Sequence, residues 1–140
     1  MKIEEIENMA IALEEIEIDG TCKEVIQRTS CSKHYYHLFH VVTVFFQSKF
    51  EEFYKSSGGA THQAIRICCE FLAERFNDKD FKKLALKLKT LHDIRVSADY
   101  RLVDNFNANN LLLMKTEKNR AILLIESLHS KYAASLSKQA

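Results

Sequence analysis

The segment LHDIRVSADY, residues 91–100, is the stretch around which the rest of the sequence is organised. In an α-helix, where successive residues are about 100° apart, His92, Arg95 and Asp99 lie on one face. An imidazole, a guanidinium and a carboxylate on one face can bind a phosphate, pair with a partner chain or form a surface ion network. The spacing therefore predicts a polar helix face and leaves its use open.

Helical periodicity extends from this segment along most of the chain. Apolar residues recur every three or four positions, and strand-like alternation is absent. The sequence contains no proline and only three glycines, so few residues interrupt a helix. Its 140 residues suffice to bury a core without disulfides or a metal. We therefore predict a single all-α domain over residues 1–140, an up-and-down bundle of about five helices.

The boundaries of these helices follow from the polar and glycine-containing segments between them. Thr61 is placed to cap the third helix, and the carboxylates within residues 78–80 suit the start of the fourth. An interruption of the second helix near residues 30–32 is left open. The predicted helices are a first that ends at Asp19-Gly20, a second from about Thr21 to Tyr54, a third from His62 to Phe76, a fourth that carries Arg95 and Asp99, and a fifth that begins after residues 104–110.

The charge balance limits the partners that the whole chain can attract. The 20 basic and 19 acidic residues nearly cancel, so no global field draws the protein to nucleic acid or to an anionic membrane. Any RNA contact must therefore be local. No apolar run approaches the roughly 20 residues of a membrane span, and the acidic N-terminus does not resemble a signal peptide. We expect a cytoplasmic protein without a membrane partner.

A basic surface is predicted just before residues 91–100. Lys82, Lys83, Lys87 and Lys89 precede Arg95 on the fourth helix. We expect three basic residues of the last helix to add to this surface: Lys115, Lys118 and Arg120. Such a group of lysines is expected both for a solvated helix face and for a surface that follows an RNA backbone. The sequence leaves these two alternatives open.

Four residues on the second helix have the spacing of possible metal ligands. Cys31, His34, His37 and His40 follow one another in steps of three. Each such step rotates about 60° backwards around the helix, so only neighbouring pairs could bind one ion. We therefore predict no metal and no cofactor, with these histidines in packing or hydrogen bonds. The four cysteines of the chain contain no C-x-x-C pair, which favours reduced thiols.

Three pieces of the sequence, in this order, resemble the HEPN domain family. They are YYxxFH at residues 35–40, His62 after a glycine-containing loop, and LxxxRxxxDY at residues 91–100. The resemblance covers roughly residues 5–130. HEPN domains form an all-helical, dimer-forming family found in prokaryotic toxins, defence systems and nucleotidyltransferase-linked modules.

The resemblance implies a homodimer and a set of site residues. The dimer would form through the faces that carry Tyr36, His40, Arg95 and Asp99. Many HEPN members are metal-independent ribonucleases with an R-x-x-x-x-H motif at the dimer axis. Arg95 matches the arginine, which would hold the scissile phosphate and stabilise the charge that develops during attack.

The histidine of that motif is replaced in this sequence. Tyr100 stands at its position, and a phenol, with a reference pKa near 10, is a poor general base at neutral pH. The sequence instead resembles the R-x-x-x-D-Y variant of the family. Cleavage of RNA would then need His92 or His62 as the base, with Asp99 orienting it.

These observations favour an RNA-directed HEPN protein of the toxin or defence type, acting as an endoribonuclease. The first alternative is a non-catalytic HEPN module that binds an RNA, a nucleotide or a protein such as an antitoxin. Because Tyr100 stands near the motif, that protein partner could also be a minimal nucleotidyltransferase that modifies a tyrosine. The second alternative is a helical assembly subunit, in which Arg95 and Asp99 pair with each other.

Overall fold

The computed structural model describes the backbone of residues 1–139 and the side chains of residues 1–133. Within this part of the chain all regular structure is α-helical and no strand occurs, so the predicted all-α class is confirmed. Six helices are present, one more than the predicted number of about five. They are α1 (Ile3–Glu15), α2 (Lys23–Lys49), α3 (Glu51–Ser56), α4 (His62–Phe76), α5 (Lys79–Tyr100) and α6 (Ala108–Gln139).

The additional helix arises because the predicted second helix is divided at Phe50. The backbone of Phe50 leaves the helical region, with φ −134° and ψ 48°. Its side chain is buried, and its ring centroid lies 5.9 Å from those of Phe76 and Phe81. The helical periodicity continues across this position, but the break accompanies a tertiary aromatic contact that overrides it. Residues 30–32, where an interruption had been left open, lie in continuous helix.

The first helix is shorter than predicted. It ends at Glu15, and Ile16 is extended with φ −87° and ψ 144°. The prediction that the helix reaches Gly20 was wrong, because the β-branched Ile16 and Ile18 remain exposed and gain no core contact from helix formation. Gly20, with φ +76°, instead closes a turn in which the Thr21 N–H donates to the Ile18 carbonyl at 3.1 Å.

Helix α4 has the predicted bounds and cap. Thr61 Oγ1 accepts a hydrogen bond from the Ala64 N–H at 3.0 Å, which satisfies one of the free donors of the first turn. At the other end Asn77 adopts a left-handed conformation with φ 49°. Asp78 Oδ1 then accepts from the Asp80 N–H at 2.9 Å at the start of α5.

The chain divides into two compact units. The first unit comprises residues 1–40 and 90–119, and the second comprises residues 41–89 and the chain from residue 120 onward. Each is a helical bundle, and α2, α5 and α6 contribute residues to both. Whether the chain is the single domain we expect stays a prediction. Core residues of the first unit include Ala10, Cys31, Leu38, Leu91 and Met114, and those of the second include Phe46, Cys68, Cys69, Leu72, Phe81 and Leu128.

No helix in the described part of the chain combines the length and the apolar character that crossing a membrane requires.

Candidate functional site

Arg95 is the centre of the polar face that the sequence predicts, and it lies on α5 within the first unit. The residue is only 9% exposed. Its Nη2 donates to the hydroxyl of Tyr36, on α2, at 2.5 Å. Its Nε lies 2.8 Å from Oδ2 of Asp99, one helical turn further along α5. The i,i+4 spacing thus places carboxylate and guanidinium together, while α2 supplies the phenol.

The contact between Arg95 and Asp99 balances charge without completing the hydrogen bonds of the guanidinium. The two atoms are within ion-pair distance, although Nε has no hydrogen-bond partner among the described residues. The carboxylate therefore offsets the charge of Arg95 and leaves the Nε–H without an acceptor.

Two tyrosine rings cover the guanidinium of Arg95. Its Cζ lies 5.0 Å from the ring centroid of Tyr36 and 5.3 Å from that of Tyr100, distances that favour cation–π attraction. Tyr100 is 67% exposed, in contrast to the buried arginine. An aromatic side chain with a cation against it thus lies at the surface, at the end of α5.

Asp99 is also fixed from α2. Its Oδ2 accepts a hydrogen bond from the Ser32 hydroxyl at 3.0 Å. The adjacent Cys31 is fully buried, and burial, together with the negative charge of Asp99, raises the pKa of its thiol to about 12. Cys31 is therefore a core thiol and no candidate nucleophile.

The structure brings four of the seven predicted site residues together: Arg95, Asp99, Tyr36 and Tyr100. The His92 ring, half-buried on α5, lies edge-on to Tyr35 with centroids 5.8 Å apart. His40 packs edge-on against Phe39 at 5.7 Å.

His62 is the first residue of α4 and belongs to the second unit, whereas Arg95 belongs to the first. The expectation that His62 faces Arg95 stays a prediction, as does the dimer interface.

Arg28 is a buried residue that the sequence analysis missed, and it fixes the chain after Tyr100. Its Nη1 donates to the carbonyls of Ser97, Ala98 and Arg101 at 2.7, 3.1 and 3.2 Å, and its Nη2 donates to that of Asp104 at 2.9 Å. Ser97 and Ala98 belong to the last turn of α5, and Arg101 and Asp104 follow it, so the guanidinium lies at the carbonyl end of the helix, where a cation is favoured. One sequence feature could have indicated that Arg28 is buried. It precedes Cys31 by three residues, and this spacing puts both residues on the same side of α2.

Lys118 centres a second buried polar cluster in the first unit. The residue is 2% exposed. Its ammonium donates to Glu7 Oε2 at 2.5 Å and to His34 Nδ1 at 3.0 Å. His37 Nδ1 lies 3.4 Å from the ammonium and 3.3 Å from Glu7 Oε2, so three residues supply the polar groups around Lys118.

The tautomer of His34 follows from its two contacts. Because Nδ1 accepts from Lys118, the ring proton lies on Nε2, which donates to Glu14 Oε2 at 3.2 Å. The other oxygen of Glu14 accepts from Lys115 at 2.5 Å. The cluster therefore connects α1, α2 and α6 by side-chain contacts.

Burial, and then the charge of Lys118, lower the pKa of both His34 and His37. The hydrogen bond from Lys118 lowers the pKa of Glu7. Two of the histidines considered as metal ligands accordingly lie beside the ammonium of a lysine. Among residues with described side chains, no group of three or more His, Cys, Asp and Glu is arranged to hold a metal ion.

Comparisons with known protein families, with curated protein sequences and with solved structures find no match to this chain. The function is therefore argued from the residues of the Arg95 cluster.

Proposed function

We propose that this chain is a HEPN-type protein that binds single-stranded RNA at the surface formed by Tyr100 and Arg95. The observation that carries the proposal is the exposed Tyr100 ring with the guanidinium of Arg95 5.3 Å from its centroid. Unpaired RNA bases are bound by stacking on aromatic rings and on arginine planes. A local surface of this kind suits a chain whose total charge is nearly balanced.

The contacts that hold Arg95 and the backbone around Tyr100 support binding. Asp99 and Tyr36 hold the guanidinium, and Arg28 holds the carbonyls that flank Tyr100 in sequence. Groups that are already held lose little conformational entropy when a base stacks beside them.

The same contacts favour binding over cleavage. Arg95 is buried, and Asp99 already offsets its charge, so gripping a scissile phosphate would require it to give up present partners. Tyr100 occupies the position of the family's catalytic histidine. An Arg95–Asp99 pair is also expected if the chain is a helical assembly subunit. The exposed Tyr100 is the feature that favours RNA binding over that alternative.

The proposed protein is a homodimer. The HEPN-like motif implies an interface formed by the faces with Tyr36, His40, Arg95 and Asp99, which would bring the Tyr100 rings of two copies near one RNA strand. Such a closed two-fold arrangement uses the same surface on both copies.

Fluorescence anisotropy with a labelled, short, mixed-sequence single-stranded RNA tests the proposal. Tyr100→Ala should weaken binding by about 5- to 150-fold, because a stacked base contributes about 1–3 kcal/mol. Tyr100→Phe keeps the ring and should retain most of the affinity. The matched control is Leu123→Ala, which truncates an exposed side chain on α6 that is not part of the Arg95 cluster. Absence of binding by the wild type, or equal affinity of wild type and Tyr100→Ala, would contradict the proposal.

A second candidate function is the metal-independent endoribonuclease, with His92 as its general base. His92 lies one turn before Arg95 on α5, and its ring packs edge-on against Tyr35 with centroids 5.8 Å apart, so the sequence spacing is what supports this role. To test for cleavage without a metal ion, the RNA is incubated with the protein in a buffer that contains a metal chelator, and the RNA is then examined for fragments. Fragmentation that Arg95→Ala or His92→Ala abolishes supports the nuclease, and intact RNA that stays bound supports the binding module.

A further inference from the structure

An open groove of about 840 Å³ lies in the first unit, beside the connection between α1 and α2. It is lined by the end of α1, the connecting residues 16–21, the start of α2 and the start of α6. Leu13, Ile26 and Leu111 form its most buried apolar lining. None of its lining residues belongs to the Arg95 cluster.

Apolar side chains extend the lining of this groove into solvent. Ile16, Ile18 and Leu112 are 46%, 45% and 60% exposed. A single exposed apolar residue is ordinary, but several beside one concave surface are typical of an interaction site. The extended backbone of Ile16 and the turn at Gly20 display two of these side chains rather than burying them.

The charge around the groove is negative. Its charged lining residues are Glu14, Glu15, Glu17, Asp19, Lys23 and Lys115. Glu14 and Lys115 pair with each other at 2.5 Å. The remaining exposed groups are the carboxylates of Glu15, Glu17 and Asp19 and the single ammonium of Lys23. A positively charged surface with an apolar centre is therefore the complementary occupant.

The chain itself carries such a surface on α5, which we name the lysine face. It comprises Lys79, Lys82, Lys83, Leu86 and Lys89, whose spacings of three and four residues place them on one side of the helix. Phe81, Leu84 and Leu88 lie on the opposite, buried side. Leu86 is 67% exposed at the centre of the lysine face.

We propose that the groove of one copy binds the lysine face of a second copy. Leu86 of the second copy packs against the apolar lining, and the ammonium groups of Lys79, Lys82 and Lys89 meet Glu15, Glu17 and Asp19. The ammonium of Lys83 lies 3.6 Å from Asp80 of its own helix. The two contacting surfaces differ, so the contact is heterologous. It is separate from the Arg95 surface and does not depend on the RNA-binding function.

Charge exchange between the two surfaces tests this contact. The groove variant is Glu17→Lys with Asp19→Lys, and the helix variant is Lys82→Glu with Lys89→Glu. Each variant alone presents like charges across the contact, so its self-association at low salt should weaken by about tenfold or more relative to wild type. Mixing the two variants restores opposite charges and should restore association between them. Sedimentation velocity over a range of concentrations measures all three samples.

The matched control is Glu52→Lys with Glu70→Lys, which reverses two exposed carboxylates outside the groove. It should associate as the wild type does, and circular dichroism checks that every variant is folded. A dimer that both charge variants retain belongs to another surface. If the groove variant and the wild type give the same mass distribution, or if the mixture associates no better than its components, the proposal is overturned.

Discussion

Two of the three buried cations of the first unit, Arg95 and Lys118, have surroundings that differ. The ammonium of Lys118 donates to Glu7 and His34 and lies 3.4 Å from Nδ1 of His37. Arg95 keeps a buried Nε without a hydrogen bond among the described residues and lies beside the exposed Tyr100 ring. A buried charge with several polar partners is typical of a structural cluster, whereas a buried donor without a partner calls for a separate explanation. The comparison therefore supports a structural role for Lys118 and the binding role proposed for Arg95.

Removal of the Lys118 ammonium should have the largest effect on stability. Lys118→Met keeps most of the side-chain volume but leaves Glu7 and His34 without their donor. We expect the free energy of unfolding to fall by about 3 kcal/mol, the lower end for a broken buried pair, because the Glu7 side chain is 36% exposed. Urea denaturation measures this change, with the exposed Lys89→Met as control. A loss equal to that of the control would show that the cluster is not structural.

Truncation of Arg28 should have the next largest effect. Arg28→Ala removes four contacts to carbonyl groups around the end of α5, and we expect a loss of about 2 kcal/mol. Amide hydrogen exchange should speed up in residues 101–107, and RNA binding should weaken because the position of Tyr100 becomes less fixed. Lys23→Ala, on the exposed first turn of the same helix, is the control. Unchanged exchange in residues 101–107 would contradict this role.

Acidification should produce a moderate loss of stability through the Lys118 cluster. The pKa values of His34 and His37 are lowered from 6.5 in the folded chain, so the unfolded chain takes up protons at higher pH. The stability linked to them is present above about pH 6.5 and is lost as the pH falls through their folded values. The pKa of Glu7, lowered from 4.5, acts in the same direction at lower pH.

Thermal unfolding at about pH 7.5 and about pH 5.5 measures this dependence, because these values lie on either side of the reference histidine pKa. The Tm should be lower at the acidic pH, and His34→Gln should reduce the difference. A Tm that stays constant or rises on acidification would show that the histidines are not held neutral by Lys118.

Tyr100→Ala should change stability least. The side chain is 67% exposed, so we expect a shift within about 0.5 kcal/mol in urea denaturation. Unchanged stability together with weakened RNA binding would show that Tyr100 serves binding, whereas the Lys118 cluster serves stability. A stability loss as large as that of Lys118→Met would instead make Tyr100 part of the structural core.

The sequence predicted those features of the fold that depend on local spacing. Helical periodicity predicted the all-α class, and Thr61 marked the start of α4. The i,i+4 spacing of Arg95 and Asp99 predicted their common face, which the structure shows as a 2.8 Å contact. Each of these features depends on residues close in the chain.

Features that depend on distant residues were not predicted. The break at Phe50 coincides with contacts to Phe76 and Phe81, which periodicity alone does not reveal. The expectation that Lys118 extends the basic surface was wrong, because Lys118 is 2% exposed and pairs with Glu7, which lies 111 residues away in the chain. Pairing over such a separation is decided by tertiary packing.

The burial of the cysteines has a consequence for chemical labelling. Cys31, Cys68 and Cys69 are buried, and burial raises the pKa of all three thiols, to about 12 for Cys31 and about 11 for Cys68. Cys22 is exposed. An alkylating reagent should therefore modify the native chain at Cys22 alone and reach the other three thiols only after unfolding. The wild-type sequence thus provides its own single attachment point for a fluorophore, next to the turn at Gly20.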